Sequence, residues 1–310
     1  EYKIDSTGSF EIRTRFSKSN SKYRSTTEQA SIDEDGLLLN EAFSETLDDS
    51  DRNNFTNNLN FNKAFRRKGR NINVSFSNDN AIDKANSLNQ SSTVFYQNGV
   101  PTDDRNQKIN NRNLKDVYDS EIQYMEPITD SLQVSVGVYW KNEKSIEDRE
   151  SFDYDGATQS YSSLNPALTN YTSSTIKMLC PKSGFSISKK KYSLSATGGT
   201  NIVQFENAST YLGNDFQLNK KLIFPYAQVN MNYNIGKSKR IWVNYEYIVN
   251  MPRANQLLPV ENLANPLNTF IGNPNIDLIK NHNVYFNFNN FDYATRTGYT
   301  FYCGGDYYDN

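Results

Sequence analysis

Long apolar runs are missing from this 310-residue chain. No segment approaches the roughly 20 consecutive apolar residues of a membrane helix, so helical spanning is excluded. Histidine occurs once, at His282, which excludes any site built on a histidine pair. Cysteine occurs twice, at Cys180 and Cys303, far apart and outside any metal-type spacing, so two free thiols is the favoured reading. No Gly-rich phosphate loop, paired-carboxylate motif or nucleophile elbow stands out; the chain is expected to be no enzyme and to carry no cofactor or metal. A formal charge of -2 gives no basic excess for nucleic acid. The chain opens on EYKID, without Met and without a charged-then-apolar leader, and reads as a processed chain or a fragment.

What is present looks contradictory at first. The hydrophobic fraction is 36% and the mean hydropathy -0.76, yet aromatics reach 13% and Asn is the commonest residue. Disordered chains are poor in aromatic and β-branched residues, so disorder does not explain the polarity. Half-apolar strands do. In Tyr226–Asn250, Ala227, Val229, Met231, Tyr233 and Ile235 alternate with Gln228, Asn230, Asn232 and Asn234. After Gly236-Lys237-Ser238-Lys239 the alternation resumes with Ile241, Val243, Tyr245, Tyr247 and Val249. A period of two on both sides of a Gly/Lys/Ser turn predicts a β-hairpin. The same signature recurs at Phe10–Phe16, Phe55–Phe61, Ile72–Phe76, Tyr118–Tyr124, Leu132–Trp140 and Val284–Phe288.

About eleven strands of roughly ten residues follow, the length that crosses an outer-membrane core at a tilt. Their connections alternate. Short ones are expected at Phe65–Gly69, Glu126–Asp130, Ser188–Lys191, Gly236–Lys239 and Asn289–Arg296. Long ones are expected at about Asn20–Asp51, Asp83–Asn113, Glu143–Tyr171, Asn207–Lys221 and Met251–Asn281. Short turns on one rim and long loops on the other describe a transmembrane barrel with periplasmic turns and extracellular loops. A soluble sandwich puts loops at both ends of strands of about five or six residues. Charge divides likewise: Ser25–Asp51 has no Lys or Arg among many carboxylates, while three short turns are basic. Basic turns suit an anionic inner leaflet, or simply solvate a tight turn. The expected fold is therefore an all-β, antiparallel, up-and-down transmembrane barrel spanning residues 1–310 as one segment. Its apolar face meets lipid, and its amide-rich face lines the interior. Taken alone, such a segment gives either an antiparallel sheet with two unpaired edges or a strained small closure.

One segment carries a family resemblance. Asn250–Phe288 reads NMPRANQLLPVENLANPLNTFIGNPNIDLIKNHNVYFNF. It resembles the late-barrel segment of TonB-dependent receptors, in particular the outer-membrane β-barrel family of Bacteroidota. The matching positions are Pro252, Arg253, Gln256, Leu257, Pro259, Asn265, Pro266, Leu267, Gly272, Asn273, Pro274 and His282. Where that family continues with Lys-Pro-Glu, this chain has Asp277-Leu278-Ile279-Lys280. The resemblance implies the barrel portion of a larger nutrient receptor in the bacterial outer membrane, with plug domain, TonB box and terminal strands not visible in this chain. It further implies a TonB-type energy-coupling complex, a nutrient ligand (metal chelate, oligosaccharide or peptide) and a surface lipoprotein over the mouth as partners. A passive barrel or adhesin, and a soluble secreted β-sandwich module, are the alternatives.

Several residues invite sharper readings. Gly272-Asn273-Pro274 has the composition of a turn. His282 reads as a strand-entry residue at the loop rim. DEDG (Asp33–Gly36) and DYDG (Asp153–Gly156) hint at calcium, but neither reaches the bidentate Glu of an EF-hand, and Asp-Gly marks hairpin tips. Of Tyr96, Tyr124, Tyr139, Trp140, Tyr161, Tyr171, Tyr245 and Tyr247, most are expected in interfacial girdles. Tyr161 and Tyr211, in long connections, are the candidates for ligand contact.

Overall fold

The computed structural model describes residues 2–5, 7–96, 101–236, 238–258, 261–262, 270–292 and 294–309. The strands are β1 (Tyr2–Asp5), β2 (Gly8–Ile32), β3 (Leu38–Ala64), β4 (Asn71–Phe95), β5 (Asp103–Pro127), β6 (Leu132–Asp155), β7 (Ser160–Leu164) and β8 (Asn170–Ser188). They continue as β9 (Tyr192–Tyr211), β10 (Asn214–Asn234), β11 (Lys239–Asn250), β12 (Glu261–Asn262), β13 (Phe270–Ile271), β14 (Ile279–Asp292) and β15 (Thr297–Asp309). One turn of helix, α1 (Ala254–Leu257), lies between β11 and β12. Twelve strands follow one another as antiparallel neighbours in a single sheet, β7 pairs with β6 alone, and β12–β13 form a separate two-residue pair. Eleven strands are at least twelve residues long, in agreement with the number read from the alternation. The sheet is open, with β1 and β15 at its ends.

Registers assign the two faces. Ile122 lies opposite Val138, and Val134 opposite Phe185. Leu194 lies opposite Met231, Tyr233 opposite Ile241, and Val243 opposite Phe286. These residues share one face, and no second layer covers it among the described residues: Ile12, Phe16, Ile122, Val136, Val138 and Trp140 are all exposed. That arrangement contradicts a sandwich, whose apolar stripes pack on each other. It is the outward face of a lipid-facing barrel wall. The stripe is about nine residues tall, for example Leu132–Trp140 in β6. At roughly 3.4 Å per residue and a 45° tilt this spans about 21 Å, close to the ~25 Å apolar band of outer-membrane barrels. Above it the outward positions turn polar in one cross-strand row, Asn57–Asn78–Tyr118–Asn142–Lys177–Gln204–Lys221.

The strands do not stop there. They run to 25 and 27 residues in β2 and β3 and 24 in β6, against the ten expected. Four of the five long connections are consequently paired hairpin extensions. Asn20–Asp51 is closed by a five-residue tip (residues 33–37), and Asn207–Lys221 by Leu212-Gly213 alone. Leu212 and Gly213 have φ of 50° and 75°, the two positive values of a type I′ turn. At the other tip, Asp33 Oδ1 accepts the amides of Asp35 and Leu37, and Gly36 takes φ 81°. The acidic hairpin is partnered from β2: Lys18 pairs with Asp51, Lys22 with Asp49 and Arg24 with Glu45. Among the described residues, Met251–Leu278 is the one of the five that is not closed as a paired hairpin.

Whereas Asn289–Asp292 stay paired in β14 and make the last connection shorter than expected, the first four short turns fall within about two residues of the expected places. Two of their cations are engaged within the protein: Arg67 Nη1 and Arg70 Nη2 both reach Glu126 Oε1, at 2.8 and 2.7 Å. For those two arginines an intramolecular clasp replaces the lipid-leaflet role. Cys180 lies on the inner face, opposite Tyr139, and Cys303 on the outer face, opposite Phe286. Both are free thiols, and opposite faces of one sheet keep them from pairing.

Candidate functional site

The inner face carries the chemistry. At the depth of the apolar belt and just above it, this face is an ion-pair ladder across three strands. Glu121 of β5 meets Lys182 of β8 at 2.8 Å, and Glu143 of β6 meets Lys141 at 2.7 Å and Lys115 at 3.5 Å. Lys182 also lies 5.6 Å from the Tyr226 ring centroid. Half-buried charges need such partners, because each would otherwise carry an uncompensated desolvation cost. Tyr139 belongs to this wall, since it alternates with Val138 and Trp140, and is therefore not a girdle residue. Trp140, Tyr245 and Tyr247 do face outward.

Toward the mouth, the long loop folds inward onto the wall. Leu257 and Leu258 are buried at 2% and 1% exposure, as are Val203 and Phe205 of β9 at 0% and 2%. Pro252, Met251 and Leu257 border a cavity of about 80 Å³ against Phe205 and Leu222. The loop is held by its own backbone. Arg253 N donates to Gln256 Oε1 (2.8 Å), and Asn273 N donates to Gln256 O (2.7 Å). Asn273 Oδ1 accepts Asn275 N (2.9 Å), and Lys220 Nζ donates to Pro274 O. Gly272 is buried. Pro252, Arg253, Gln256, Leu257, Gly272, Asn273 and Pro274 thus come together as one clasp at the mouth. Pro259, Asn265, Pro266 and Leu267 lie outside the described residues.

His282 is elsewhere. It is the fourth residue of β14 and faces outward, with Nδ1 2.9 Å from the Tyr245 hydroxyl and ring centroids of Tyr247 and Tyr307 at 4.9 and 5.9 Å. This is an aromatic cluster at the upper edge of the belt, the position of an interfacial girdle. Tyr211 is buried, and its hydroxyl donates to Ala167 O (3.1 Å), bracing the segment before β8. Tyr161 stacks edge-on with Tyr154 and donates to Asn106 Oδ1 (2.8 Å), on the outward side of the extensions.

A second inner surface escaped the sequence reading. In the extensions, inward residues of β2 to β6 line a groove of about 360 Å³ that includes Thr46, Ser87, Asn89, Thr93, Asn111 and Arg149. Arg149 sits in the charged run Glu147–Glu150, which reads as a solvated surface; nothing local sets it apart from its neighbours. Desolvation by burial, with Arg105 nearby, lowers its pKa.

Residues 63–307 match the family described as the outer membrane protein beta-barrel family. No curated protein matches the chain significantly. Among solved structures, the ferric yersiniabactin uptake receptor FyuA from Yersinia pestis is similar at 12% identity, over 94% of this chain and 53% of the receptor, with a TM-score of 0.41. The ferric citrate transporter FecA gives 11% identity over 94% and 50%, with a TM-score of 0.45. The copper transporter OprC gives 7% identity over 94% and 52%, also with a TM-score of 0.45. The chain spans about half the length of each of these proteins.

Proposed function

Because the chain belongs to the outer membrane protein β-barrel family of the bacterial outer membrane, we propose that it forms barrel wall of a TonB-dependent nutrient receptor. The Bacteroidota affiliation and the completion of the barrel by further segments, including a plug, are part of that proposal. The observation that carries it is the division of the sheet. An apolar belt faces lipid, a paired-charge wall faces inward, and a polar groove stands above the belt on the same inner face. Such a wall can capture a polar solute outside and present it to a luminal gate, which a TonB-type complex would energise from the periplasm. Metal chelates, oligosaccharides and peptides are the ligand classes considered, and a lipoprotein over the mouth is a proposed partner. Uptake of radiolabelled nutrients by cells with and without the gene tests the reading. Gene-dependent uptake that a protonophore abolishes is expected. Gene-dependent uptake indifferent to the protonophore would replace it with a passive barrel.

One observation favours an adhesin as the second reading. From Lys141 to Asp155, β6 continues for about 50 Å of strand beyond the belt, at roughly 3.4 Å per residue. At a 45° tilt that is a projection of about 36 Å, and a sheet standing that far off the belt suits attachment to another surface. Loss of cell adhesion on deletion, with nutrient uptake intact, would select it.

A further inference from the structure

Arg149 has no carboxylate within ion-pair distance and no hydrogen-bond partner among the described residues, and its Nε is buried and unsatisfied. Two residues further along β6 on the same face, Ser151 is 0% exposed and its Oγ is equally unpartnered. The other nearby cation behaves differently. Arg105 is bound to Asp103 within its own strand, with Nε at 2.9 and 3.0 Å and Nη2 at 2.6 Å from the two carboxylate oxygens. Asp153, two rows further on, accepts Gln107 Nε2 (2.7 Å) and Asn165 Nδ2 (2.9 Å), while Glu147, in the row next to Arg149 on the same face, is exposed and makes no ion pair with it. A half-buried guanidinium left out of this pairing is costly unless something anionic completes it.

The groove says what kind of anion. Its inward side chains are mainly hydroxyls and amides with Ala42 and Ile109 between them, and the described lining has no inward aromatic, so it offers hydrogen bonds rather than a stacking platform. Ser44 and Thr46 both donate to Asn89 Oδ1 at 3.2 Å, which leaves the Asn89 amide N–H₂ as a donor. One unpaired cation beside several carboxylates favours a single negative charge over a dianion. A volume of about 360 Å³ is at the lower end of small-molecule sites, which run from roughly 300 to 1,000 Å³. We propose that this groove is a subsite for a hydroxylated carboxylate of the acidic-sugar class. Arg149 would take the carboxylate bidentately, and Thr46, Ser87, Asn89 and Thr93 would take hydroxyls. Burial of Arg149, which lowers its pKa, is the condition that an incoming carboxylate relieves. The inference rests on the receptor reading, since it names that receptor's ligand class.

Its test is binding, which is independent of transport. The detergent-solubilised protein is titrated calorimetrically with galacturonate, with its methyl ester and with inorganic phosphate. Galacturonate should bind at least about tenfold more tightly than the ester, as a hydrogen bond to a charged group implies. Arg149→Gln should remove that preference, Arg149→Lys should restore part of it, and Lys108→Gln on the outer face should leave it unchanged. Equal affinity for acid and ester, phosphate binding as tight as galacturonate, or no binding at millimolar concentrations would overturn the proposal. The acid–ester comparison needs no variant and holds even where Arg149→Gln misfolds. Binding without protonophore-sensitive uptake would refute the transport reading alone, and sensitive uptake of neutral nutrients without acid binding would refute this inference alone.

Discussion

Val136→Arg is the sharpest probe of what the outward face touches. Val136 is 56% exposed and sits midway up the Leu132–Trp140 stripe, so an arginine there would stand near the bilayer midplane. A cation at that depth on the lipid face of a barrel costs about 2–4 kcal/mol, roughly a 30- to 1,000-fold loss in the folding equilibrium. If the same face met water, an exposed valine would be replaceable at a cost within about 0.5 kcal/mol. The two cases differ by more than the error of a denaturant titration. Ser135→Arg, one residue away and on the inner face, is the control, with an expected change of about 0.5 kcal/mol or less. Urea unfolding in phospholipid vesicles, with heat-modifiable electrophoretic mobility as the readout of folded protein, measures both. A Val136→Arg protein as stable as Ser135→Arg would refute the assignment of the faces and the barrel reading with it.

Four further outcomes follow from named contacts. The two tryptophans face opposite ways, so brominated acyl chains should quench Trp140 and spare Trp242, measured separately in Trp242→Phe and Trp140→Phe proteins. Leu257→Ala should cost about 2–5 kcal/mol locally and detach the mouth loop, seen as faster proteolysis within residues 251–278 with the sheet intact. Gly199→Val should destabilise by about 1–3 kcal/mol, because a Cβ there would stand 2.5 Å from Pro181 O and 3.0 Å from Lys182 Cα. The hydrogen bond from Arg70, then that from Tyr124, holds the Glu126 carboxyl at about 2, below its ordinary 4.5. A depressed folded pKa gives stability that is complete above 4.5 and lost as pH falls toward 2. Melting temperature should drop across that window, and Glu126→Gln should flatten the drop.

What the sequence disclosed, and what it hid, follows from where the alternation survives. Ile72, Val74 and Phe76 alternate cleanly with amides because one side of β4 meets lipid. Beyond them β4 continues as DNAIDKANSLNQSS, with Asn80, Ile82, Lys84, Asn86, Leu88 and Gln90 outward and Ala81, Asp83, Ala85, Ser87 and Asn89 inward. Polar and apolar residues are mixed on both faces there, so no period-two signal remains while the backbone ladder runs on uninterrupted. That is why paired extensions read as loops. The Leu212-Gly213 turn was illegible for a second reason: leucine at positive φ is uncommon, and the sequence lacks the Asn-Gly or Asp-Gly signature of a type I′ turn. Most turns and most of the outward belt, by contrast, were legible, with Tyr139 and the Asn289–Asp292 end of β14 as the exceptions. Of the mouth motif, the sequence identified the residues but not their partners, since Gln256 and Asn273 meet only when the loop doubles back. Arg149 was invisible because its distinction is a missing partner, which no local pattern encodes.

The extensions also bear on how the family's loop rule applies to this chain. A ladder of paired ions and amide bonds is a weak source of stability, with exposed pairs worth about 0–1 kcal/mol each. Above the belt no second layer among the described residues covers the outer face of the sheet, and it must be held mainly by its backbone hydrogen bonds. Those bonds come in unbroken registers anchored at the membrane end, where the belt fixes which face is which. The extension therefore inherits its inward orientation from strands that lipid has already oriented, and Arg149 faces the lumen for the same reason that Tyr139 does. A one-residue bulge introduced between Tyr139 and Arg149 should carry Arg149 to the outer face and leave the belt in place. An insertion after Asn142 that kept vesicle stability within about 1 kcal/mol while abolishing discrimination between acid and ester would display that inheritance directly.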